Sequence, residues 1–353
     1  MIRWNEQRDL PPGVSAILSG ASPHDDSDWK EALRYTDRFQ LTFALVKDGP
    51  AWVRAQVAAD CARNRERMTR IFDLFRKVQE ATAGFEIVVL KGFAHWDLFH
   101  LQPDARVQYD LDLYSPNRPP EIARELKRLT PAPNYKWNGD FYDAAIPIEI
   151  DWHERLWDEK MEGFAAPGVE EFWARRVWTC VEGIRFQTLA PPDALAFACL
   201  HMLKHVLHGE ARPVQALEIA SFLRHRAGDE TFWAEWRRLH PPELRRLEAV
   251  AFRFAAEWFG CALREEAACL TPKVERWFER HAASPVTAYF RPNKDELALN
   301  LCLIENTAAK ARVVGRRLFP AHLPQPFSYA IERGVFHLRA LAPAVSTMLR
   351  MRR

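Results

Sequence analysis

Two acids, Asp110 and Asp112, stand two residues apart in the run Arg106-Val107-Gln108-Tyr109-Asp110-Leu111-Asp112-Leu113-Tyr114. In an extended strand such neighbours project from one face, roughly 7 Å apart at the backbone. Two carboxylates so placed repel each other unless a cation neutralises them. A hard cation bound through oxygen, Mg2+ or Mn2+, suits that need, and acids that clamp such ions are the working parts of many phosphoryl and nucleotidyl transfer sites. A third acid arrives in a separate run, Ile148-Glu149-Ile150-Asp151-Trp152-His153. The expected metal and catalytic set is therefore Asp110, Asp112 and Asp151, with Asp151 also placed to help deprotonate an attacking hydroxyl. The alternative is a set of ordinary acids on an exposed strand. Against it, Val107, Leu111 and Leu113 make the opposite face of that strand apolar. Glu149 shares the face of Asp151 and reads as a solvated strand residue.

Upstream, the apolar run Ile87-Val88-Val89-Leu90 ends at Lys91-Gly92. A glycine at a strand-to-helix turn leaves room for phosphate to reach the amides of a helix N-terminus. A lone glycine there is also just a turn; with its neighbours at the ends of the two strands, Lys91, Gly92 and Arg106 are the expected nucleotide-binding residues, the two cations reaching triphosphate oxygens. Surface salt bridges are the alternative for both cations. His153 lies on the face of Asp151, where it orients that acid, touches substrate or serves as a structural histidine. Further along, His201, Lys204, His205 and His208 interrupt an apolar helix. Its histidines at i, i+4 and i+7 suggest zinc, but no H-E-x-x-H pattern is present. The expectation is that His201, Lys204 or His205 faces substrate across a cleft from Asp110 and Asp112. The alternative is histidines buried between helices.

The elements that must position these residues follow from periodicity and breakers. Asp28-Trp29-Lys30-Glu31 reads as a helix opening. Residues 51–83 form a long amphipathic helix with Ile71, Phe72, Leu74 and Phe75 on its apolar stripe, stopped at Gly84. A strand is expected at 86–90, a short helix at 93–101, a strand at 107–114 and a helix from Pro119-Pro120 to about Leu129. Residues 134–153 alternate like a hairpin ending in the second acidic strand, and Ile184–Leu189 reads as one more strand. From Pro191-Pro192-Asp193 onward the pattern is helical. The division expected is an N-terminal helical segment at 1–83 packing on the core, an α/β core at 84–190 and a helical domain at 191–353.

These features in this order resemble the nucleotidyltransferase fold of the DNA polymerase β superfamily. More narrowly, they are similar to a bacterial family of largely uncharacterised nucleotidyltransferases. The resemblance rests on Leu90-Lys91-Gly92, on Arg106 four residues before Asp110-Leu111-Asp112, on Asp151-Trp152-His153-Glu154-Arg155-Leu156 and on His201-Met202-Leu203-Lys204-His205. It covers about 65–230, with a weaker echo in Arg316-Arg317-Leu318-Phe319-Pro320. The superfamily at large places Gly-Ser or Gly-Gly after its first strand. Here Lys91 precedes Gly92 and Phe93 follows it, a form the narrower family shares. The resemblance implies an α+β fold, a small mixed sheet with flanking helices, with a helical C-terminal domain added. It also implies transfer of a nucleoside monophosphate from a nucleoside triphosphate such as ATP to an acceptor hydroxyl or phosphate, with Mg2+ or Mn2+ and release of pyrophosphate. The acceptor, a small molecule or a protein, is left open. Two rivals stand beside this reading: a catalytically inactive relative that binds a nucleotide or a partner, and a histidine-based metal hydrolase.

Bulk properties bound the rest. With 353 residues, 48% hydrophobic and 27% charged, the chain is expected to fold into a packed protein of two domains or one large one. A formal net charge of +2 gives no overall drive towards nucleic acid or membrane. Near the C-terminus Arg312, Arg316, Arg317, Arg333, Arg339, Arg350, Arg352 and Arg353 face only Glu332. They read as a solvated helical face and tail, with a basic surface for phosphates as the alternative. Six scattered cysteines form no C-x-x-C pair, so neither a zinc ribbon nor a disulfide framework is expected. The opening residues lack the apolar core of a signal peptide, and the longest apolar run, near 194–203, is too short for a bilayer. A cytoplasmic setting is the expectation.

Overall fold

A computed structural model describes residues 11–101, 106–117, 119–130, 139–143, 145–209, 211–281 and 295–318. In chain order the elements are α1 (Pro12–Ser19), α2 (Asp26–Arg38), α3 (Thr42–Leu45), α4 (Ala51–Ala81), β1 (Val88–Val89), β2 (Asp110–Tyr114), α5 (Pro120–Leu129), β3 (Glu149–His153), α6 (Glu159–Glu162), β4 (Val177–Val181), β5 (Ile184–Thr188), α7 (Pro191–Leu207), α8 (Pro213–His225), α9 (Glu230–Leu239), α10 (Pro242–Phe259), α11 (Pro272–His281), α12 (Asp295–Leu303) and α13 (Thr307–Leu318). The fold is α+β: one small mixed sheet set among helices.

The five strands run in the order β3-β2-β1-β5-β4. β1 is antiparallel to β2 and parallel to β5, β2 is parallel to β3, and β4 and β5 form an antiparallel pair. The alternation of β2 decides what each face of the sheet meets. Leu111 and Leu113 enter a core with Ile71, Phe72, Phe75 and Val78 of α4. Tyr114, with Val88 and Leu90, enters the core built by α7, α8 and α10. Asp110 and Asp112 have the parity of Tyr114, so they face the α7 side. The aromatic residues under the sheet also fix the turn after β1. The Phe93 ring lies 5.2 Å from those of Phe75 and Phe186, and its side chain is fully buried.

Helix starts follow the punctuation of the sequence. Asp25 caps α2 by accepting from the amides of Ser27 and Asp28, at 2.8 and 2.9 Å. Prolines open α5, α7, α8 and α10, where the missing N–H costs nothing. The expected boundaries at 83/84 and 190/191 fall just after α4 and just before α7. Apolar packing continues across the second: Val88, Leu90, Tyr114 and Leu189 share one core with the helices that follow. Helices α1 and α2 pack on Val53 and Val214, at the start of α4 and of α8.

Several expectations are corrected. The segment after Gly92 is a single 3₁₀ turn, Gly92–His95, followed by irregular turns, where a helix to 101 was expected. Phe93 drops into the aromatic core, and His100 sits at a positive φ of 50°, which no α-helix carries. Within the segment read as a hairpin, residues 134–138 and 144 lie outside the described residues. Its strand β3 pairs in parallel with β2. β4 was not anticipated: its exposed Val177 and Trp178 break the buried alternation that marks a strand. The resemblance around Arg316 lies on α13, except for Phe319 and Pro320, which are outside the described residues.

Candidate functional site

Parallel pairing of β2 with β3 builds the site. In its register Asp110 faces Glu149, Asp112 faces Asp151 and Tyr114 faces His153. Because residues aligned across a ladder share a face, the acids of both strands and His153 stand together on the α7 side. One oxygen each of Asp112 and Asp151 and one nitrogen of His153 lie within 4.8 Å of one another. His153 Nε2 is 2.8 Å from Asp112 Oδ1 and 3.6 Å from Asp151 Oδ2.

Asp112 is almost fully buried, and both of its oxygens have charged or polar neighbours. Oδ1 meets His153; Oδ2 is 2.9 Å from Lys91 Nζ. Burial would raise its carboxyl pKa, but the Lys91 ammonium and His153 outweigh that and hold it at about 2. Lys91 also reaches Asp110 Oδ2 at 3.3 Å. Burial alone would lower the Lys91 pKa, yet Asp112 and Asp110 keep it above its ordinary value. Asp110 moves the other way: burial, opposed by Lys91 and reinforced by the Asp112 charge, pushes its carboxyl up. Asp110 lies outside the group that shares a 4.8 Å cluster, and it remains one-third exposed. Asp151 is more open, its side chain 59% exposed, and Glu149 is exposed as expected.

The turn at Gly92 is closed by a residue that the sequence reading passed over. Gly92 has φ +73°, and a Cβ there would lie 2.4–2.5 Å from the amide of Gln108. That amide accepts from Phe93 N at 3.0 Å and donates to Asp110 O at 2.7 Å, clamping the turn to β2. Gln108 stands two residues before Asp110, and that spacing was its signal. Arg106 is held in an ion pair with Glu218 on α8, both side chains nearly buried. Burial raises the Glu218 carboxyl, and Arg106 opposes that rise. Glu218 was legible as a lone acid in the apolar run 214–223. The Arg106 backbone oxygen accepts from Asn64 of α4 at 3.1 Å. His95, fully buried and stacked on Phe99 at 4.1 Å, completes the wall behind Lys91. Burial drives its pKa down to about 3, so it is neutral.

A cleft of about 260 Å³ opens between β3, the segment after it and α7. Asp151, His153, Arg155, Trp157, Phe197, Leu200, His201 and Lys204 are among the residues that line it. The His153 ring meets Phe197 edge-on at 5.9 Å. His201 accepts from the Gln215 amide through Nδ1 at 2.8 Å, and burial holds its pKa well below the usual value. A neutral ring that accepts at Nδ1 carries its proton on Nε2. His205 packs edge-on against His201 at 4.6 Å and is absent from the cleft lining. His208 turns to the buried Glu162, 3.1 Å away. The three helix histidines therefore go to separate partners, and among the described residues they form no metal-binding group.

The donor set suits a divalent cation. Two carboxylates and an imidazole converge on one point, a mixed oxygen and nitrogen set of the kind that holds divalent metal ions. Formal charge agrees: Asp110, Asp112 and Asp151 against Lys91 leave two negative charges. Among the described residues, no helix is long and apolar enough to cross a membrane.

A family model described as an uncharacterised nucleotidyltransferase matches residues 25–260, well over half of the chain. No curated protein and no solved structure matches it.

Proposed function

The chain belongs to the uncharacterised nucleotidyltransferase family, and from that premise we propose that it moves a nucleoside monophosphate from a nucleoside triphosphate to an acceptor hydroxyl or phosphate, with pyrophosphate as the leaving group. The observation that carries this reading is the register that sets Asp112 against Asp151 beside His153, on the face that opens to the α7 cleft. Asp112, Asp151 and His153 would hold Mg2+ or Mn2+, with Asp110 alongside. A bound divalent ion supplies Lewis-acid stabilisation of charge on phosphoryl oxygens.

The chain's own groups set up the rest. Lys91 and His153 fix both oxygens of Asp112, so this carboxylate is held in one orientation before substrate arrives. Asp151, open to the cleft, is the group placed to take the proton of an acceptor hydroxyl. Gln108 ties the turn after β1 to β2, next to Lys91, through Phe93 N and Asp110 O. Trp157, Phe197 and Leu200 line the cleft with apolar surface beside the acids.

One observation favours a second reading. Lys91 Nζ stands between Asp110 and Asp112, where an ammonium neutralises part of the charge a metal would otherwise meet. A relative that binds a nucleotide or partner without transferring anything would use it so. The experiment that decides is incubation with labelled nucleoside triphosphates, Mg2+ or Mn2+ and an acceptor library, followed by mass spectrometry of small molecules and of the protein itself. Metal-dependent pyrophosphate release and a product heavier by one nucleotide are expected. Nucleotide binding with no pyrophosphate under any metal would overturn transfer and leave the binding reading.

A further inference from the structure

We propose that the triphosphate is held from the α7 wall, by the Lys204 ammonium with the His201 Nε2–H beside it, rather than from the turn at Lys91-Gly92. The proposal rests on the nucleotidyltransferase reading and concerns which wall of the same site takes the phosphates.

At the turn after β1 the Phe93 amide and the space beside Gly92 are already taken. The Phe93 amide, the donor that would meet a phosphate there, is bonded to Gln108 at 3.0 Å. The space beside Gly92 that a phosphate would enter is filled by the same Gln108 amide. The two cations expected to serve the nucleotide are both neutralised by buried acids. Lys91 lies between Asp110 and Asp112, and Arg106 lies against Glu218. Freeing Arg106 would leave the buried Glu218 carboxylate uncompensated.

The α7 wall has the opposite character. Lys204 is exposed, lines the cleft and has no ion-pair partner among the described residues. One turn back, His201 lines the same cleft with its Nδ1 committed to Gln215, which leaves Nε2–H to donate. Across the cleft Arg155 offers a second cation, weakly paired with Asp158 at 3.8 Å. Asp158 itself caps α6 through the amide of Met161 at 3.1 Å, and Glu154 is also engaged. That leaves Asp151 as the open acid of this lining, and it belongs to the metal group. A cleft with an unpaired lysine facing a metal-binding acid, and a weakly paired arginine on the side of that acid, has the charge pattern of a metal triphosphate. Its size agrees: about 260 Å³ lies below the roughly 300–1,000 Å³ of sites that enclose whole drug-sized ligands. It suits the phosphate chain better than a nucleoside and an acceptor together.

The test is calorimetry with Mg2+ and a series of one nucleoside's non-hydrolysable triphosphate, diphosphate and monophosphate, on wild type, Lys204→Ala, Lys204→Arg and His201→Phe, each checked for an unchanged melt. Wild-type affinity is expected to fall as phosphates are removed. Lys204→Ala should weaken the triphosphate about tenfold, leave the monophosphate unchanged and so compress the series, while Lys204→Arg keeps most of it. His201→Phe should act in the same direction. Wild-type triphosphate affinity in Lys204→Ala would overturn the proposal and leave the proposed function standing. If that variant instead raised only the acceptor concentration needed for turnover, the α7 wall would belong to the acceptor. Failure of wild type to bind any of the three nucleotides would remove the function reading and this proposal together.

Discussion

Two of the protein's buried clusters of charge are built on different principles. One lies where α7, α9 and α10 meet. There His240, fully buried, sits between Asp193 Oδ1 at 3.1 Å and Glu248 Oε2 at 3.0 Å. Arg175 grips Asp193 with two hydrogen bonds of 2.8 and 2.9 Å, and Trp236 donates to Glu248 at 2.9 Å. Every carboxylate oxygen has a donor. With His240 protonated, the two acids and two bases sum to zero. The other cluster, on β2 and β3, sums to two negative charges and opens on one side to a cleft. A network with nothing left to bind is what stability needs. A network short of one divalent charge and exposed on one flank is the one on which the proposed function places a cation. Both reach across the chain: β2 and β3 bring together residues 41 apart through a sheet register, and His240 meets Asp193 from 47 residues away.

The largest expected effect separates the two by activity. Asp112→Asn keeps the shape and hydrogen-bonding capacity towards His153 but removes the charge at the centre of the open cluster. Pyrophosphate release per folded molecule should fall on the order of 10³-fold, as for loss of a fixed electrostatic element of a transfer site, with some loss of stability because Lys91 gives up a buried partner. Turnover equal to wild type would take Asp112 out of the chemistry. Next comes stability. His240→Ala leaves two buried carboxylates to one arginine, and a stability loss of about 3–5 kcal/mol is expected in urea titration. Activity per folded molecule should persist. A variant of wild-type stability would show that the closed cluster contributes nothing net.

The same histidine gives a pH signature. Although burial opposes it, the Glu248 and Asp193 carboxylates raise the His240 pKa from 6.5 to about 9. A group raised in the folded state contributes its full stability below its unfolded pKa and loses it as pH climbs through the folded value. Between pH 6.5 and about 9 the contribution should therefore decline, by about 3 kcal/mol in all at 1.36 kcal/mol per pKa unit. The readout is the difference in unfolding free energy between wild type and His240→Gln across that range, which removes the other titrating groups. A flat difference would show that His240 is not held charged.

What the sequence exposed divides by range along the chain. The acid pair, the third acid, the long helix beneath the sheet and the helical run after Pro191 were all legible, because each rests on local spacing. Asp112 beside Asp151 was legible only as a hope of convergence. The parallel register that produces it joins residues far apart, and no local pattern encodes that. The partners of the cations were hidden for the same reason. Nothing near Arg106 in the chain announces Glu218, and nothing near Gly92 announces that Gln108 fills its side. His201 and Lys204 read as polar interruptions of an apolar helix, and the structure puts both on the cleft. His205, one turn further along α7, sits against His201 instead.

The smallest effect concerns the seam between the two clusters' principles, the turn at Gly92. It sits inside the open cluster yet is packed like the closed one. The glycine is required on two counts: φ of +73° and a Gln108 amide in the place of its Cβ. Gly92→Ala should cost about 1–2 kcal/mol for the left-handed backbone alone, and somewhat more for the displaced amide. The amide's share can be isolated. Gln108→Ala empties the space, so the cost of Gly92→Ala should be smaller in that background, and the cycle should show a coupling of about 0.5–3 kcal/mol. An additive cycle would mean that Gln108 does not press on the turn. Nucleotide affinity gives the complementary reading. If Gly92 serves packing, Gly92→Ala lowers the melting temperature and leaves the triphosphate dissociation constant of the folded protein near wild type. If affinity falls while the melt is unchanged, phosphate approaches this glycine after all, and the turn belongs with the open cluster.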